Sequence, residues 1–305
     1  MFFANVAAVF LMIFLPVNSF MLPSSSVKTL IKAESSLLSS HRYYLSSFTS
    51  GMIDNKAASD HLMNNINRIL TAEQQQAEQQ AQQQATVRMI YVPTAMYAFR
   101  KDSNSSPGKQ LQRAKADGRK RRQKVIDHLE ESLTLPISVV TYDIKTSTIT
   151  NPTTVPSTVT STVPSTSSLP SLPSNTSQLL TWNPHIIYID GGNTFHLHNT
   201  LRTSPLKPFL LTYSNIYIGV SAGSIICGSR IRTSLWKGLD DPTIVDEEFP
   251  GMYDWENEEG LGLECEEFFM HYDDKWKEVY EENRSEGTVK IGEDECWCSD
   301  VRGII

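Results

Sequence analysis

Two stretches, HIIYIDGGNTFHLHNTL at residues 185–201 and NIYIGVSAGSIICG at residues 215–228, are built alike. Each is an apolar run rich in β-branched residues that ends abruptly in small residues and then takes up helical spacing. The first break is Asp190-Gly191-Gly192-Asn193 and the second is Gly219-Val220-Ser221-Ala222-Gly223. A strand that breaks at glycine and re-enters a helix presents backbone N–H groups, and any side chain at the break, at the carboxyl edge of a sheet. A serine at such a break, with glycine on both sides to relieve a strained turn, has the pattern of a nucleophile elbow.

The rest of the chain reads as support for this pair. Tyr43–Phe48 is a first strand ending in a Ser/Thr/Gly loop, and 57–72 has helical apolar spacing through Leu62, Ile66, Ile69 and Leu70. A strand at Val87–Val92 is stopped by Pro93; a helix then runs to about Leu133, followed by a strand at Ile137–Tyr142. Strands alternating with helices argue a parallel, doubly wound α/β sheet with helices on both faces. A single domain over 42–305 is expected, interrupted by a glutamine-rich insert at 73–85 and a Ser/Thr/Pro/Val insert at 146–178. Neither insert has the apolar content to build a core.

Ahead of the domain, Phe2–Pro16 is apolar and free of acidic residues, with the length of a signal-peptide core rather than a comfortable membrane span. The Ser- and Leu-rich stretch after it carries Lys28 and Lys32, and the whole presequence, 1–41, resembles the bipartite plastid-targeting leader of algae with complex plastids. Passage into the secretory pathway is expected, ending in secretion or in a plastid; a chain started further in would stay cytoplasmic. No stable membrane span is expected once such a leader is cleaved. The sequons at Asn104, Asn175 and Asn283 acquire meaning only on that route.

With 27 Lys and Arg against 34 Asp and Glu, the net charge of −7 gives no electrostatic support for a nucleic-acid partner. The basic run Lys115–Lys124 reads as the solvated face of a helix. Cys227, Cys265, Cys296 and Cys298 lack zinc-type spacing, and the last two are too close for an easy mutual disulfide.

Serine needs a base to take its proton and an acid to orient that base. His196 and His198 follow the first turn at i and i+2, so they cannot both face one site. His271 closes the apolar segment CEEFFMHY (265–272) just before Asp273-Asp274, where a strand end would reach a neighbouring carboxyl edge; a structural histidine there is the competing reading.

Asp190-Gly-Gly-Asn-Thr-Phe-His-Leu, Tyr217-Ile-Gly-Val-Ser-Ala-Gly-Ser and Ile231-Arg-Thr, in this order, resemble peptidase family S51, the aspartyl dipeptidases (peptidase E) and the related cyanophycinases. The resemblance implies a flavodoxin-like sheet, related to class I glutamine amidotransferases, and a serine nucleophile with no metal and no cofactor. By position it makes Ser221 the nucleophile, His271 the base, and the N–H groups of Gly192 and Ala222 the oxyanion hole. Asp294, counted back from Trp297, is the favoured orienting acid, with Glu293 the alternative. The loop at Arg232-Thr233 and Asp240-Asp241-Pro242 matches one where an aspartate lies near the site. Asn193 and Arg284 are the candidate substrate-binding residues, Arg284 because an acidic substrate calls for an arginine fork.

The implied activity is a serine-type exopeptidase that hydrolyses short peptides, above all dipeptides with N-terminal Asp. The alternatives are a cyanophycinase-like hydrolase of β-aspartyl peptides, for which the acidic stretch Asp246–Glu259 offers a groove, and a non-catalytic relative that binds its ligand. The implied partner is a small peptide substrate. The sequence leaves the oligomeric state open.

Overall fold

The structure is a computed structural model that describes residues 42–77, 86–99, 103–150 and 175–305. These residues belong to one compact unit, His41–Ile305. The expected presequence and the bodies of the two inserts, 78–85 and 151–174, lie outside the described residues. No helix among the described residues is long and apolar enough to cross a membrane.

The chain forms β1 (Arg42–Ser46), α1 (Thr49–Ile53), α2 (Lys56–Ala77), β2 (Val87–Val92), α3 (Pro107–Leu133), β3 (Ile137–Asp143) and β4 (Thr148–Thr150). It continues through α4 (Thr176–Thr181), β5 (Ile186–Ile189), α5 (Thr194–Arg202), α6 (Leu206–Thr212), β6 (Ile216–Val220), α7 (Ala222–Cys227) and α8 (Thr243–Asp246). The last elements are β7 (Glu267–Phe269), α9 (Lys277–Asn283), β8 (Thr288–Lys290), β9 (Cys296–Cys298) and β10 (Gly303–Ile304). Eight strands form one sheet in the order β10-β9-β1-β6-β5-β2-β3-β4. Its centre, β1-β6-β5-β2-β3, is parallel throughout, and antiparallel β9 and β4 flank it.

The parallel strands are buried on both faces, which is why they read as continuous apolar runs. Period-two alternation sorts their side chains. Leu45, Ile90, Val92, Ile187, Ile189 and Tyr217 face Phe195, Leu197, Ile225 and Ile226 of α5 and α7. Tyr44, Met89, Ile186, Ile216 and Ile218 face Leu62, Ile66, Val125 and Leu129 of α2 and α3. The domain is therefore the doubly wound α/β class expected, with the carboxyl ends of β1, β2, β5 and β6 converging on one edge.

Both inserts are better ordered at their margins than composition suggests. Helix α2 runs on to Ala77, into the glutamine-rich segment, because glutamine is a good helix former. Thr148–Thr150 pairs with Thr141–Asp143 as an edge strand, where threonine is favoured. Asn175 caps α4 by accepting from the N–H of Gln178. The segment carrying His271 also departs from expectation. β7 does not join the main sheet; it pairs with β8 in a separate parallel two-stranded unit bridged by α9.

Candidate active site

Ser221 sits between β6 and α7 with φ +50° and ψ −108°, a conformation that L-residues rarely adopt. The turn is held from below: Ser221 N donates to Ser46 O at 2.8 Å, and Ser224 Oγ donates to the same carbonyl at 3.0 Å. The flanking glycines serve close approach rather than a left-handed backbone. A Cβ at Gly219 would stand 2.6 Å from Gly223 O, and one at Gly223 would stand 2.2 Å from Ile189 O. Only glycine lets α7 start against the end of β5.

His271 follows β7 and is left-handed too, with φ +56°. Its Nε2 lies 2.9 Å from Ser221 Oγ, within hydrogen-bond reach. The Phe48 ring meets the imidazole edge-on, with centroids 4.6 Å apart. Burial, and after it the Lys237 ammonium, push the His271 pKa down to about 4. The imidazole is therefore neutral at neutral pH and free to accept a proton.

Both side chains open into a cavity of about 510 Å³, whose wall includes Ser47, Phe48, Gly191, Gly192, Lys237, Asp240, Asp273 and Glu293. A second chamber of about 740 Å³ shares Arg121, Gly191, Gly192, Leu239 and Asp240 with the first, so the Gly turn forms part of both walls. The Gly192 and Ala222 N–H groups donate no hydrogen bond among the described residues, whereas Gly191 N–H is taken by Asp190 Oδ1 at 2.7 Å.

Residues 161–294 match the model of peptidase family S51. The matched segment spans both glycine turns, His271, Glu293 and Asp294. Similar solved structures include a "putative peptidase E protein" from Listeria monocytogenes EGD-e, at 17% identity and TM-score 0.45 over 87% of this chain and 96% of that one. Another is a peptidase from an acI-B1 Actinobacterium, at 12% identity and TM-score 0.43 over 85% of this chain and 83% of that one. No curated protein matches the chain.

The S51 resemblance implies an acid beside His271, Asp294 first and Glu293 as the alternative. Neither Asp294 nor Glu293 hydrogen-bonds the imidazole, and Nδ1 has no hydrogen-bond partner among the described residues. The cause lies in the turn before β9. Glu295 Oε2 accepts from Gly292 N–H at 2.6 Å, and the Asp294 carbonyl accepts from Asn55 at 3.2 Å, which fixes the turn in another register. Because β9 runs antiparallel to β1, this turn still reaches the active edge, and there Glu293, not Asp294, joins the cavity wall.

The two candidate substrate-binding residues are engaged elsewhere. Asn193 is the N-cap of α5: its Oδ1 accepts from His196 N–H at 2.8 Å and its Nδ2 donates to Asp241 O at 3.1 Å. Arg284 caps the outer end of α9, paired with Glu281 at 2.6 Å and stacked on Tyr280, off the cavity wall. His196 and His198 are buried on α5, and burial takes both pKa values down to about 4.

In the loop where the S51 resemblance implies an aspartate near the site, Asp240 Oδ2 accepts from Thr194 N–H at 2.9 Å and so ties the loop after α7 to the first turn. The basic run on α3 is not merely a solvated face. Arg121 reaches the fully buried Asp190 at 3.1 Å, Tyr91 donates to the same carboxylate, and Arg122 donates to Thr141 at 2.6 Å. A buried carboxylate needs such partners, and that unmet demand at Asp190 was the available signal.

Proposed function

We propose that the protein is a serine-type exopeptidase that hydrolyses short peptides, dipeptides with N-terminal Asp first among them. The observation that carries this reading is the 2.9 Å approach of His271 Nε2 to the hydroxyl of a serine held in a strained strand-to-helix turn. Ser221 Oγ attacks the scissile carbonyl while His271 Nε2 takes its proton. The N–H groups of Gly192 and Ala222 receive the developing oxyanion, and their lack of a hydrogen-bond partner among the described residues supports that role. Collapse of the tetrahedral intermediate breaks the C–N bond, and the imidazolium returns the proton to the leaving amine. Water then cleaves the acyl-enzyme by the same steps in reverse. The preference for an acidic first residue comes from the family resemblance.

The test is turnover of Asp-Leu by the wild type and by Ser221→Ala, together with labelling by a fluorophosphonate probe. Hydrolysis and labelling are both expected of the wild type and neither of the variant. Equal turnover by the two proteins overturns the reading.

A further inference from the structure

Among the described residues no carboxylate hydrogen-bonds His271 Nδ1, and other contacts hold His271 against Ser221. Its main chain is gripped on both sides. Ser47 Oγ accepts from His271 N–H at 2.7 Å and itself donates to Ile291 O at 2.9 Å, so one fully buried hydroxyl joins the ends of β1, β7 and β8. On the other side, the Lys237 ammonium donates to Met270 O at 2.7 Å and also to the carbonyl of His271 itself. The ammonium lies over the rings of Phe269, at 4.3 Å, and Trp276, at 5.0 Å, so its position is set by packing as well as by hydrogen bonds.

We propose that Ser47 and Lys237 are the positioning residues of the base, gripping the backbone on either side of His271 and so holding its imidazole on Ser221. The inference rests on Ser221 and His271 acting as nucleophile and base. A charge-assisted bond to a carbonyl is among the stronger hydrogen bonds, and two of them flank a residue whose left-handed φ must be imposed by its surroundings. Phe48 then limits rotation of the ring. The geometry replaces a carboxylate that would orient the side chain with contacts that orient the backbone beneath it. Lys237 also sets the local field: Asp273, Lys275 and Glu293 are the charged groups around it, and His271 is the group it repels on protonation.

Labelling of Ser221 by a fluorophosphonate probe, timed at pH 7 and across the acid range, separates this arrangement from a carboxylate-oriented triad. Ser47→Ala and Lys237→Met are expected to slow labelling by about 10²-fold through misplacement of the base. Glu293→Gln and Asp294→Asn are expected to stay within about fivefold of the wild type, as exposed carboxylates do. Lys237→Met should also raise the midpoint of the His271 Cε1 proton titration above about 4, and Lys237→Arg should restore both the rate and the midpoint. A larger loss from Asp294→Asn or Glu293→Gln than from Lys237→Met overturns the proposal, as do wild-type rates in Ser47→Ala and Lys237→Met. Absence of labelling in the wild type would instead overturn the serine-nucleophile reading, and an unmoved His271 midpoint in Lys237→Met would then overturn the clamp. Ser47→Ala, which removes a single oxygen, carries the rate test if Lys237→Met fails to fold.

Discussion

The turns at Asp190–Asn193 and Gly219–Gly223 have similar compositions and put their strain in different places. In the first, the awkward backbone falls on Gly192, at φ +147°, where a Cβ would stand 2.2 Å from Ala95 O. The neighbouring side chains are all spent on structure: Asp190 on Arg121 and Tyr91, Asn193 on the α5 cap. In the second, glycine is used for close packing and the positive φ falls on Ser221, the residue with a hydroxyl to offer. One turn is conformationally relaxed and leaves the Gly192 N–H without a partner among the described residues. The other keeps its strain, and a strained residue retained where glycine would fit marks a site under functional demand.

Substitutions can break that contrast. Ser221→Ala should lower kcat for a short peptide by on the order of 10⁶-fold with the fold intact by circular dichroism. A modest loss would mean that the strain serves structure only. Gly192→Ala should cost about 3 kcal/mol or more in urea unfolding, because both φ and the Ala95 carbonyl oppose a methyl group. A variant as stable as the wild type would show that the first turn is not constrained as described.

The third test sharpens the role of the base. His271 binds a proton only below about 4, so kcat/KM should rise with pH through about 4 and show no inflection at the ordinary histidine value of 6.5. At pH 3 the rate should be about tenfold below its plateau. The same depression affects stability. The unfolded chain takes up protons near 6.5 while folded His196, His198 and His271 stay neutral down to about 4. The folded state therefore loses stability as pH falls from about 6.5 to about 4, which urea midpoints measured across that range would report. The smallest effect is the most pointed. Ser221→Gly should abolish activity and stabilise the fold by about 1 kcal/mol, since glycine accepts the turn without strain. A lower urea midpoint would place the strain elsewhere.

What could be read from sequence follows physical range. Strands such as Val87–Val92 and helices such as the one ending at Leu133 announce themselves through local periodicity, and the serine turn through its glycines. The grip on His271 does not. Lys237 acts on backbone carbonyls 33 and 34 residues away, and Ser47 on an N–H 224 residues away. Main-chain acceptors leave no side-chain pattern to recognise. The choice between Asp294 and Glu293 is hidden for a related reason: residue counting locates the turn, but Glu295 and Asn55 set which carboxylate joins the cavity wall. Arg121 was hidden inside a run whose composition is that of a solvated helix.

The pairing of β1 with β6 also bears on how the protein is made. Ser46, near the start of the domain, supports a serine turn that is translated much later, 178 residues on at Ser224, and Ser47 waits for Ile291, 244 residues on. Contacts this distant in sequence form late and slowly. On the ribosome, Ser221 and His271 cannot be brought together in this way until β8 has emerged. Their contact is therefore a late product of folding, completed only after the strands on either side of it have been made.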